Sequence, residues 1–237
     1  MNKYIVIKVF TEKIKSPIYI GFFIGAGGFI IVQFFEIVIS PKKIFDLAFL
    51  LTLFITPGIF GKEISSGTIQ FLLTKPIKWS SVYFSKVFGV WLTMFSFLIF
   101  TIFLFGLSQF LLSGLKAENL IIFLIDGLLK LTLLISMISF FSTFLPDYGD
   151  IVAFIIFALL LSGIYEISHT FLKSPVWLKN SIESIILFLM GKEKSFSAWL
   201  QDGNFLKNFG LYLARLLFFL LGGLFIFKSR DYGYGQR

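Results

Sequence analysis

Few side chains in this chain are able to do chemistry, and most are single charges set in long apolar runs. Asp126 and Lys130 stand four apart, acid before base, so on a helix they share a face and can pair. A lone charge at mid-bilayer costs about 2.5–3.5 kcal/mol on insertion scales. Two readings therefore stay open: the charges neutralise one another against protein, or they form a polar patch lining a substrate path. Glu166 and His169 are three apart, a spacing that supplies metal ligands in helical bundles when two such motifs and further glutamates are present. The chain has one histidine, so the pair reads as interfacial polar groups and no metal site is expected. Arg215 stands within the last apolar run and needs a partner or a water path; Asp126 is a candidate by charge alone.

The common catalytic constellations are missing. There is no cysteine, which removes disulfides, thiolate metal sites and cysteine nucleophiles. No stretch reads GxxxxGK[ST], HExxH or GxSxG. Asp126, Lys130, Glu166 and His169 are the groups suited to acid–base work, but they fall on two runs at unlike depths, which disfavours a membrane-embedded enzyme. No catalytic residue is assigned, and no cofactor is expected on this chain.

The elements that must position these groups are membrane spans. Of the 237 residues, 57% are hydrophobic and 14% charged, against roughly 25% charged in a soluble domain. Mean hydropathy is +0.91. The net charge of +8 comes from basic residues flanking apolar runs, which fits topology and anionic lipid better than nucleic acid. The expected fold is an all-α integral membrane protein forming one domain over 1–237. Six spans are placed at 17–39, 44–60, 86–112, 120–144, 151–168 and 206–227. Residues 1–16 carry too many lysines for a signal peptide. Ile7, Phe10 and Ile14 share a face opposite Lys8, Glu12 and Lys15, which suggests an interfacial amphipathic helix, with a frayed basic tail as the alternative. Residues 170–205 hold the short apolar run 182–190, expected to be re-entrant or interfacial on the outer side.

Two further features bear on packing. Gly21, Gly25 and Gly28 form a smooth strip in the first span, which lets helix backbones approach, within the subunit or at a dimer seam. Pro57 and Gly58 are placed to kink the second span near its cytoplasmic end. With both termini inside, 11 of the 21 Lys and Arg fall on the cytoplasmic side and 8 outside, with Lys130 and Arg215 in spans. The inner turn 145–150, with two Asp and no base, counts against that orientation.

The longest polar break is GKEISSGTIQFLLTKPIKWSSVYFSK, residues 61–86. Ser65, Ser66 and Gly67 can start a helix, with serine as N-cap. Ile69, Leu72 and Leu73 recur on one face, and Pro76 ends the run. About two turns result, too short to stand alone in water, so the helix must lie on its own spans, the membrane or another protein.

The order Glu63, Gly67-Thr68, Phe71-Leu72-Leu73, Pro76 and Lys86 resembles the signature of ATP-binding-cassette (ABC) exporter permeases of the second type. Phe227, Arg230, Asp231 and Tyr232 resemble that family's C-terminal pattern. The resemblance implies that 63–76 is a cytoplasmic coupling helix and that the chain is the permease subunit of an exporter. It implies two ATP-binding subunits as partners, carrying ATP and Mg, and a second permease chain completing a homo- or heterodimer. It places the assembly in the cell membrane with both termini cytoplasmic. The alternative is an ion-gradient-driven secondary transporter, but the two halves show no convincing internal repeat. The substrate is not legible.

Overall fold

Apolar runs of this length leave the backbone no water to bond, so each closes its hydrogen bonds within itself as a helix. The computed structural model describes residues 1–33, 41–67, 77–113, 117–145, 149–170 and 205–229, with short pieces at 184–185, 188–189, 196 and 199. Among these residues every regular element is helical and there is no strand. In chain order they are α1 Lys3–Ile14, α2 Pro17–Gln33, α3 Pro41–Ile55, α4 Gly61–Ser65, α5 Trp79–Ser113, α6 Ala117–Ser142, α7 Gly149–Thr170 and α8 Phe205–Ser229.

Three stretches are long and apolar enough to cross a membrane: Trp79–Leu107 of α5, Ile121–Ser142 of α6, and Phe205–Ser229, the whole of α8. Pro17–Gly28, Asp46–Ile55 and Gly149–Ile164 are apolar but shorter. A helix thus stands at each of the six expected stretches, and three of them meet the length of a crossing among the described residues. Large apolar side chains face outward, such as Leu159 and Leu160 on α7 and Phe225 on α8. Water penalises such a surface and lipid tolerates it, which gives the chain the character of a helical membrane protein.

The long helix α5 is the hub, packing against α1, α2, α3, α6 and α8, while α6 adds contacts to α3, α7 and α8. One core gathers Leu51, Phe60, Tyr83, Met94, Phe97 and Phe227. Within it Phe60 stacks on Tyr83 at 5.1 Å between ring centroids, and Phe227 closes on Phe60 at 5.0 Å. A second core holds Leu133, Met137, Trp199, Tyr212 and Phe219.

Helix α1 lies on α5. Asn2 caps it through the Tyr4 N–H, and the Asn2 N–H itself donates to Ser85 Oγ at 2.6 Å. The inward face differs from the expected one: Val6 is buried, Val9 and Ile14 pack against the core, and Ile7 is 59% exposed. The close approach is permitted by Gly89, where a Cβ would come within 2.8 Å of the Val9 side chain. In α2 the buried face is Tyr19 and Ala26. Gly21, Gly25 and Gly28 are exposed, and a Cβ added to any of them meets nothing within 4 Å. The strip therefore does not pack within the described part of the chain.

Pro57 and Gly58 lie past the end of a helix and do not kink one. Helix α3 stops at Ile55, and a turn through residues 56–60, with Gly58 at φ +70°, leads into α4. Ser65 and Ser66 stand at the end of α4, where their hydroxyls donate back to the Lys62 and Glu63 carbonyls; the helix they are expected to start, through Ile69, Leu72 and Leu73, lies outside the described residues. Gly67, also at φ +70°, then supplies the left-handed stop common after a helix.

Candidate functional site

The turn between α3 and α4 has polar backbone groups that α3 and α4 leave unpaired. Side chains from four other helices satisfy them. From α1, the Lys13 ammonium donates to Ile55 O at 2.6 Å. From α5, the Lys86 ammonium donates to Ile59 O at 3.0 Å. At the end of α6, Ser142 Oγ accepts from the N–H groups of Phe60 and Gly61, at 3.1 and 3.3 Å. In the first turn of α7, Asp150 Oδ2 accepts the Gly58 N–H at 2.7 Å, while Oδ1 accepts its neighbour's, that of Ile151, at 2.9 Å.

Lys86 is almost fully enclosed, at 2% exposed. It pairs with Glu63 of α4, whose side chain is 32% exposed, and its ammonium lies 5.3 Å from the Phe60 ring centre. The pair ties α4 to the base of α5. A buried lysine is tolerated only when paired and hydrogen-bonded, and Glu63 with Ile59 O supplies both. On α1, burial lowers the Lys13 pKa to about 8; Lys62 and Lys86 add to the effect, while Asp150 and Glu12 oppose it. Residues 55–63 are therefore held from several sides. The turn and the start of α4 are thus bonded directly to α1, α5, α6 and α7.

Of the seven expected coupling residues, Glu63 and Gly67 are found here, as the partner of Lys86 and the stop of α4. Thr68, Ile69, Leu72, Leu73 and Pro76 lie outside the described residues, as does most of the expected coupling helix. Lys13, Ser142 and Asp150 were not singled out by sequence for this role.

The charges on the long apolar helices α6 and α8 lie apart from this turn. Lys130 donates to Asp126 Oδ2 at 2.7 Å, and Asp126 Oδ1 accepts the Phe196 N–H at 3.2 Å. Arg215 is buried on α8, with its guanidinium 5.8 Å from the Phe188 ring centre. No ion pair joins it to Asp126 among the described residues. Phe188, Phe196 and Trp199 thus lie over α6 and α8, where Trp199 packs on Tyr212. Glu166 and His169 fall on α7, and their side chains lie outside the described residues. An apolar cavity of about 520 Å³ between α3, α6 and α7 is lined by Phe49, Leu134, Met137 and Phe157, with Lys130 and Ser162 as its polar groups. No family model matches the chain, and no curated protein matches it.

Proposed function

We propose that this chain is the permease subunit of a type-2 ABC exporter, with six spans and both termini cytoplasmic. A second permease chain completes the path. Two ATP-binding subunits dock beneath it and carry the ATP and Mg. In this reading α4 and the segment through Pro76 form the coupling lever. Glu63 braces the lever to α5, Ile69, Leu72 and Leu73 bury against the ATPase or the span bases, and Gly67 and Pro76 bound the apolar segment.

The observation that carries this is the fixing of the α3–α4 turn by Lys13, Lys86, Ser142 and Asp150. A lever transmits work only when its base cannot give way, and the groups fixing this base come from four helices. Closure of the ATPase dimer on ATP then moves the lever, and the tied helices follow between inward- and outward-facing arrangements. Such coupling requires a two-state element that both sites bias. The Asp126–Lys130 pair and Arg215 sit apart from the lever and bear on the path or its packing.

The test is reconstitution in lipid with and without the ATP-binding partner, reading vanadate-sensitive ATP hydrolysis. Hydrolysis that needs both chains supports the proposal. Transport driven by an ion gradient with no ATPase present contradicts it.

A further inference from the structure

Between α1 and the turn after α3 lies a cleft of about 400 Å³. Its lining carries Lys8, Lys13, Lys62 and Lys86 against Glu12 and Glu63. Lys86 is committed to Glu63. Lys8 approaches Glu12 at 3.8 Å on an exposed surface, where such a pair is weak. Lys13 has donated one of its three N–H groups to Ile55 O and is half-buried. Its proton is held less tightly because of burial first and Lys62 second, with Asp150 and Glu12 opposing. Asp150 is turned to the Gly58 and Ile151 N–H groups.

Cations brought together in a half-enclosed cleft favour an anion between them. The apolar lining continues toward Ile18 of α2 and Phe54 of α3, both exposed. The cleft therefore offers ammonium groups on one side and open apolar surface on the other. Lysine suits phosphate as a point charge, and lysines at a membrane surface face anionic headgroups.

We propose that this cleft binds a phosphate-bearing anion, and that in the membrane its occupant is the headgroup of an anionic phospholipid, with the acyl chains over Ile18 and Phe54. The lipid would pin α1 to the base of α3. This needs α1 at the membrane surface and needs no ATPase. Failure of the exporter reading in the hydrolysis assay leaves it standing, and its own failure leaves the lever untouched.

The test follows thermal unfolding of the purified full chain in a neutral detergent. It is titrated with short-chain phosphatidylglycerol, with phosphatidylcholine of the same chain length, and with inorganic phosphate. Phosphatidylglycerol is expected to raise the midpoint by several degrees and phosphatidylcholine to leave it unchanged, as a ligand of the folded state must. In Lys8→Gln/Lys13→Gln/Lys62→Gln the apparent affinity should fall about tenfold or more, in line with the lost headgroup attraction. Lys8→Gln/Lys62→Gln keeps the Lys13 bond to Ile55 and should lose part of the response. A lysine-dependent shift with inorganic phosphate alone upholds the anion chemistry and assigns it to a soluble phosphate compound. Equal shifts with the two lipids, no shift with any of the three, or a response undiminished in the double variant overturns the proposal.

Discussion

Lys86 and Glu63 show how unequal the two halves of an ion pair are. Glu63→Gln leaves an ammonium buried on α5 with only Ile59 O and a ring face for company. Breaking a buried pair this way costs about 3–5 kcal/mol, and partial exposure of Glu63 puts the expected loss near the lower end. Lys86→Met leaves a carboxylate that water can reach, and should cost less. The double variant should recover part of the Glu63→Gln loss, measured as a coupling energy in detergent unfolding. Lys13 gives a pH prediction. Burial lowers its pKa to about 8 in the folded chain, against 10.5 for a free lysine side chain. Between those values the unfolded chain holds a proton that the folded chain has shed, so stability rises with pH across the window. Lys13→Met should flatten that rise in a series of unfolding midpoints. At this scale Glu63 and Lys86 stood out only through the resemblance; their pairing was not legible, and a lysine expected to face anionic lipid is 2% exposed. Ser142 and Asp150 did not stand out: their partners lie 81 to 92 residues away in sequence, and only the packing of α6 and α7 against the turn brings them together.

Elements were legible where an apolar run was long, and less so where a turn decided the outcome. The apolar positions of α1 were evident, but its inward face turns on Gly89, which lets Val9 approach the α5 backbone. Gly89→Leu should lift α1 away, with a loss of about 1–3 kcal/mol as for overpacked sites, and should speed proteolysis after Lys13 and Lys15. Unchanged cleavage would mean that α1 is held elsewhere. The short helix α4 itself was not legible: Ser65 and Ser66 bond back to its carbonyls and Gly67 takes a left-handed φ, so a helix ends where sequence showed only polar and small residues. The glycines of α2 were legible as a smooth strip, but the strip packs against none of the described residues.

The described residues form a helical body with an apolar exterior and a polar network around the α3–α4 turn. Composition announced the exterior, because no single globule hides this much apolar surface. The polar network was half-legible, since the groups that hold the α3–α4 turn come from helices distant in sequence. The most direct measurement of the central claim is vanadate-sensitive ATP hydrolysis by the reconstituted chain and its ATP-binding partner, comparing the natural residue with Leu72→Asp. The account predicts that the variant folds with an unchanged unfolding midpoint yet loses stimulated hydrolysis and export together. Full hydrolysis and full export by a folded Leu72→Asp chain would contradict it.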